Sequence, residues 1–176
     1  MKIMKAVYIF CLMLWVFCSC QEQPSRPVKE PTESELKKSL EKTNRYLINE
    51  EEEEIDNYVR RHQLEMISTG TGLRYQIVEG GQGALIQQGQ TVMMAYVLYD
   101  LTGDVVYSSD TEGLMKFVVG RSEGPSGLDE ALRHLHNGDR AWVIVPSHLG
   151  YGILGDQKEI PSRATLIYSL KITKVE

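Results

Sequence analysis

Apolar residues recur along this chain in three successive rhythms. Residues 6–18 form an almost unbroken apolar run. Further on, Leu36, Leu40, Leu47, Ile55, Tyr58 and Val59 make a narrow stripe at helical spacing, interrupted at Asn44 and Glu51. One long helix and two shorter ones fit that stripe equally well. Thr32 and Glu35 have the spacing of a capping box, which puts the helix start near Glu33. From Thr69 the pattern becomes that of strands: LRYQIV, TVMMAYVLYD, VVYSS, KFVV, RAWVIV and ATLIYSLKITKV are rich in β-branched and aromatic residues. Gly-containing turns separate them, among them Gly80-Gly81 and Thr102-Gly103-Asp104, so a half-wrapped antiparallel sheet is expected. Between the fourth and fifth runs, Leu128, Ala131, Leu132 and Leu135 mark one face of a short helix, with Ser126 as its expected N-cap and Gly138 just beyond its end. A single amphipathic helix laid on a twisted sheet leaves an apolar hollow between the two. Such a hollow can bind something.

The first rhythm concerns location. Lys2 and Lys5, the apolar run and the small Ser19 before Cys20 are the three regions of a secretory leader. The run is too short for a comfortable membrane span of about 20 residues. Cleavage before Cys20 would leave that thiol on the first mature residue, a position resembling the lipobox of bacterial lipoproteins; an ordinary cleaved leader and an uncleaved anchor are the alternatives. Cys11, Cys18 and Cys20 are the only cysteines, so the folded part can form no internal disulfide and no thiolate metal site. Removing residues 1–19 leaves 17 basic against 24 acidic residues, a net charge of −7 in place of −5, which argues against nucleic acid as a partner. Pro24, Pro27 and Pro31 sit in a polar stretch that cannot bury enough surface to offset its ordering entropy. The expected organisation is therefore a lipoprotein leader at 1–19, a flexible tether at 20–32, a helical segment at 33–67 and a folded domain at 68–176. Glu50 to Glu54 read as a solvated helix face, because successive helical positions radiate and cannot converge on a cation. The stripe itself fits docking on the following domain or pairing with a second copy.

No other chemistry stands out. His62, His134, His136 and His148 lack a metal-binding arrangement, and Ser147-His148 has no acid at a useful spacing. No Gly-rich phosphate loop follows a strand, so no cofactor and no metal is expected.

The motifs QGQTVMMAYVLYDLTGDVVYSS, MKFVVG, GLDEAL, VPSHLGYG and IPSRATLIYSLKI, in this order and spacing, resemble those of the FK506-binding (FKBP) peptidyl-prolyl cis-trans isomerases over about Gly72 to Glu176. The helical segment ESEL to QLEM and the SHLGYGILGDQKEIPSRATL stretch look most like the lipoprotein isomerases associated with gliding motility. The resemblance implies an α+β fold: an antiparallel half-barrel of five to six strands wrapped around one short helix, preceded by the helical segment. It implies a proline pocket built from Tyr96, Val106, Phe117, Leu128, Tyr151 and Tyr168, with Tyr107, Met115, Gly124, Pro125 and Ile160 contacting substrate. Tyr151 falls on the loop tyrosine whose hydroxyl bonds the bound peptide. Tyr96, Phe117, Leu128 and Tyr168 would equally be expected as core, since inward strand positions and the apolar helix face must be buried.

Three departures qualify the resemblance. Tyr107 stands where the family commonly has an aspartate, Val106 where it has a phenylalanine, and Pro125 where a backbone N–H anchors a substrate carbonyl; proline has no N–H to give. The function implied is isomerisation of Xaa-Pro bonds in exported polypeptides, weakened by these changes, with weak FK506 binding. The alternative is a catalytically weak chaperone or assembly partner of an envelope machine. Proline-containing clients and a membrane reached through lipid on Cys20 are the expected partners, with a homodimer through the helical stripe as a further option. The cell envelope, at the periplasmic face of the outer membrane, is the expected location.

Overall fold

The structure, a computed structural model, describes residues 32–121 and 124–176. The leader, most of the tether and Cys20 lie outside the described residues. Residues 42–176 form a compact unit.

A single helix, α1 (Glu33–Arg61), occupies the stripe. Its start is the expected capping box: the Glu35 carboxylate accepts from the Thr32 N–H at 2.8 Å, and the Thr32 hydroxyl oxygen lies 3.4 Å from the Glu35 N–H. Glu33 and Glu35 in the first turn and Arg60 and Arg61 in the last complement the helix dipole. The far end closes with paired bonds from Leu64 N–H to the Val59 carbonyl and from Gln63 N–H to the Arg60 carbonyl. Gln63 takes the left-handed conformation, φ 53°, that this ending requires.

The strands are β1 (Ile67–Ser68), β2 (Arg74–Glu79), β3 (Thr91–Tyr99), β4 (Val105–Ser108), β5 (Met115–Val118), β6 (Arg140–Val145) and β7 (Leu166–Val175). All pair antiparallel in the order β1-β2-β6-β7-β3-β4, with β5 also on β3. β1 is a two-residue edge extension, so six longer strands make the half-barrel. A one-turn helix, α2 (Ser109–Glu112), follows β4, and α3 (Ser126–Leu132) lies between β5 and β6.

Along β3, buried and half-buried positions alternate strictly, so Val92, Met94, Tyr96 and Leu98 share the inward face. Leu128, Ala131 and Leu132 of α3 meet that face with no exposed surface. The approach is close: a Cβ at Gly127 would stand 2.5 Å from Val145 Cγ1. Ser126 is not the N-cap of α3. Pro125 holds that position without a side-chain cap, and the Ser126 hydroxyl donates to the Leu149 carbonyl at 3.3 Å. With its own N–H missing, proline suits a helix entrance where amides have no intrahelical partner.

The other face of the sheet is covered too. Ile55 and Tyr58 of α1 pack with Ile144 of β6 and Ile167 of β7, supported by Trp142 and Tyr99. Two-sided burial is why RAWVIV and LIY are almost continuously apolar. Among the described residues no helix is long and apolar enough to cross a membrane.

Candidate functional site

A cleft of about 590 Å³ opens beside β5, bounded by the segment leading into α3 and by the loop after β6. Met115 and Phe117 of β5, Gly124 and Pro125 at the entrance to α3, and Tyr151 line it, with Lys116, Val118 and Arg121 around them. Phe117 is 4 % exposed and belongs to the core as well as to the cleft wall. Gly124 passes close to that wall: a Cβ there would lie 3.0 Å from the Phe117 ring, tight enough that the ring would have to give by a few tenths of an ångström.

The remaining residues singled out from sequence lie around this wall. Tyr96, Leu128, Ile160 and Tyr168 are buried in the main core, and Val106 and Tyr107 are half-buried against it. Three tyrosines are electrostatically close: burial pushes the Tyr168 hydroxyl well above the usual phenol range, and Tyr151 and Tyr96 push it further. Burial likewise raises Tyr151, followed by the Asp156 carboxylate and Tyr96. Burial raises Tyr96, and Glu112 adds to it. All three are therefore neutral at physiological pH and keep a proton to donate. Tyr151 alone of the three is exposed, at 37 %. Its hydroxyl is the donor a ligand in the cleft can reach.

Hydrogen bonds hold the loop that carries Tyr151 at both ends. Gly152 N–H donates to the Ser147 carbonyl at 2.9 Å and Arg163 N–H to the Gly152 carbonyl at 2.8 Å. Below them sits Glu51 of α1, whose carboxylate accepts from the Ser147 N–H at 2.6 Å, the Ser147 hydroxyl at 2.9 Å and the Thr165 hydroxyl at 2.7 Å. Glu51 is thus no part of a solvated acidic face. It is half-buried and ties together the two roots of the loop. Further out, the Tyr107 hydroxyl donates to Asp156 at 2.5 Å.

The sequence reading missed Lys116, Val118, Arg121, Glu51 and Asp156. Strand alternation assigns one side of β5 to a site, whereas all four of its residues line the cleft, and nothing in a run of five glutamates distinguishes the one beneath a loop. Ser147 and His148 are both engaged structurally, Ser147 by Glu51 and His148 Nε2 with the Thr71 carbonyl at 3.0 Å. His134 stacks on Tyr75 with ring centroids 4.9 Å apart. No cluster of three or more metal-ligating side chains occurs among the described residues.

A sheet curled around one short helix, with an apolar cleft walled by an inward phenylalanine and overlooked by a loop tyrosine, defines an FKBP-like half-barrel. Residues 83–173 match the family model of the FKBP-type peptidyl-prolyl cis-trans isomerases, and the chain belongs to that family. It is 32 % identical over 101 residues to peptidyl-prolyl cis-trans isomerase FKBP1A of Xenopus laevis, an alignment covering 57 % of this chain and 94 % of that one. FK506-binding protein 4 of Rhizopus delemar is 30 % identical over 106 residues, covering 60 % of this chain but 28 % of the fungal protein. The isomerase FkpA of Escherichia coli is 29 % identical over 110 residues, covering 62 % and 40 %. The chain thus spans well under half the length of two of these three relatives. In fold it is similar to the crystal structure of FkpA, with a TM-score of 0.64 at 22 % identity over 84 % of this chain and 74 % of that one.

Proposed function

We propose that this protein catalyses cis–trans interconversion of Xaa-Pro bonds in polypeptide clients. The observation that carries the reading is the neutral phenol of the partly exposed Tyr151 lining a largely apolar cleft walled by Phe117 and Met115. Rotation about a peptide bond faces a barrier of ~18–20 kcal/mol because resonance gives the C–N bond partial double-bond character. In the twisted state that resonance and its charge separation are lost. An apolar wall favours the less polar twisted amide over the planar one, and a phenol positioned to bond a peptide carbonyl holds the substrate as it turns. This chemistry requires no nucleophile.

Pro125 supports a reduced rate. It stands at the N-cap of α3 and on the cleft wall, where it can donate nothing to a substrate carbonyl. The leader and Cys20 support a lipid-tethered protein of the cell envelope that meets exported clients, in the manner of the lipoprotein isomerases. Exposed Leu36 and Leu40 support self-association of the helical segment.

A protease-coupled assay on short Xaa-Pro peptides tests the reading, with wild type set beside Tyr151→Phe and Phe117→Ala. Catalysis above the spontaneous rate that drops in either variant places the chemistry in the cleft. Folded wild-type protein with no activity on any peptide would leave a client-binding module in its place.

A further inference from the structure

The loop from Tyr151 to Ile160 has an apolar, open tip: Ile153 and Leu154 are each 76 % exposed. A tip of that kind has no packing to fix it. Two hydrogen bonds tie the loop to the Tyr107 hydroxyl on the opposite strand, one of them from the Glu159 N–H, which donates to it at 3.4 Å. The Tyr107 hydroxyl on β4 donates to Asp156 Oδ2 at 2.5 Å, across 49 residues of sequence. The other carboxylate oxygen of Asp156 accepts from the Lys158 N–H at 2.9 Å and the Ile160 N–H at 2.8 Å. Asp156 N–H returns a bond to the Ile160 carbonyl at 3.2 Å. Residues 156–160 are therefore a closed ring whose central acid is pinned to β4. Gly155, just before the ring, passes tightly against its far end: a Cβ there would lie 2.2 Å from the Ile160 carbonyl oxygen.

The pair is arranged as ionised acid and neutral phenol. Burial works to raise Asp156, but the Tyr107 hydroxyl and the Lys158 and Ile160 amides outweigh it and hold the carboxyl below its usual range. The bond to Asp156 is the main reason that the Tyr107 hydroxyl is raised. The Asp156 carboxylate also contributes to raising Tyr151, so the two lie within electrostatic reach across the same loop.

We propose that Tyr107 and Asp156 form a clasp that fixes the Tyr151 loop over the cleft, and that both are positioning residues for Tyr151. A charge-assisted hydrogen bond between a strand and a loop tip is strong and directional, where packing at an exposed tip is neither. The strand here carries the hydroxyl and the loop carries the acid. The inference rests on the isomerase reading for its kinetic consequence and on hydrogen exchange alone for its structural one.

The test uses Tyr107→Phe, Asp156→Asn and the double variant, with kcat and KM on an Xaa-Pro peptide and amide hydrogen exchange followed by NMR. Losing one charge-assisted bond is expected to speed exchange at Gly152, Lys158 and Ile160 and to lower kcat about tenfold, KM changing less than twofold. Amides of β7 keep wild-type protection. Because Asp156→Asn acts on the clasp mainly by weakening a bond that Tyr107→Phe has already removed, it adds less than twofold in the Tyr107→Phe background. Unchanged loop exchange in Tyr107→Phe overturns the clasp, whether or not wild type is an isomerase. Faster loop exchange with kcat within twofold of wild type overturns the positioning role. An inactive wild type would sink the isomerase reading, and with it the positioning role, while the exchange data still decide the clasp.

Discussion

Replacing Glu51 with alanine removes the acceptor of three hydrogen bonds from two residues, Ser147 and Thr165, that are 5 % and 3 % exposed. Each bond to a charged group contributes ~1.5–3 kcal/mol, and a buried donor left alone costs ~1–3 kcal/mol. The full sum is not expected, because Glu51 is only half-buried and water can enter the gap its side chain leaves. A loss of about 3 kcal/mol is the reasonable figure on those magnitudes. Glutamine separates charge from geometry. One carboxylate oxygen accepts from Ser147 N–H and the Thr165 hydroxyl, and the other only from the Ser147 hydroxyl. An amide carbonyl can take the first place and an amide NH₂ the second, the hydroxyl turning to accept, so all three bonds persist in neutral form at roughly half strength. Glu51→Gln should therefore lose only about 1 kcal/mol. Equilibrium urea unfolding followed by far-ultraviolet circular dichroism measures both, with an unchanged slope showing that stability alone has moved. A Glu51→Ala variant within about 0.5 kcal/mol of wild type, or a glutamine variant as damaged as the alanine one, would refute the account of Glu51 as the fastening of the loop roots.

Leu128→Ala empties a fully buried position under the sheet and should cost about 3 kcal/mol in the same unfolding experiment; a loss below about 1 kcal/mol would mean that the core collapses around the gap. Gly155→Ala combines φ +64° with a backbone clash at the Ile160 carbonyl, so the 156–160 ring should open, seen as lost protection of the Ile160 amide while β7 stays protected. In the β3–β4 turn, burial works to raise Asp100, but the Thr102 hydroxyl and the Asp104, Thr102 and Gly103 amides hold it below its ordinary 3.8. Its folded value is the lower one, so its contribution is complete above the unfolded value and disappears as pH falls through the folded one. Asp100→Asn should flatten the acid side of a stability-against-pH curve below about pH 4, and a curve parallel to wild type would count against it.

What the sequence could tell was whatever depends on periodicity. The strand runs, the α3 face and the Thr32–Glu35 capping box all follow from local spacing, and Leu128, Phe117 and Tyr168 are buried where alternation and the helical repeat put them. Motif order added the identity of the fold. Ser126 misled because a serine before a helix looks like a cap, while the proline before it already fits the entrance and frees the hydroxyl for Leu149. Glu51 and Asp156 were illegible for a different reason. Each meets a donor far away in sequence, Ser147 and Thr165 for Glu51 and the Tyr107 hydroxyl for Asp156, a requirement that exists only after the loop has been laid over the sheet.

Whether the helical stripe covers the sheet or awaits another copy was open from sequence, and RAWVIV already held part of the answer. A strand with one wet face alternates, and this one does not, so something had to cover its outer side. Ile55 and Tyr58 are that cover over Ile144 and Ile167. One turn earlier on the same helix, Glu51 reaches Ser147 just past the end of β6 and Thr165 just before β7. Covering the sheet and fastening the Tyr151 loop are thus done by neighbouring residues of a single helix. A perturbation of that docking should reach the cleft without touching it, because the loop roots and the helix share one carboxylate.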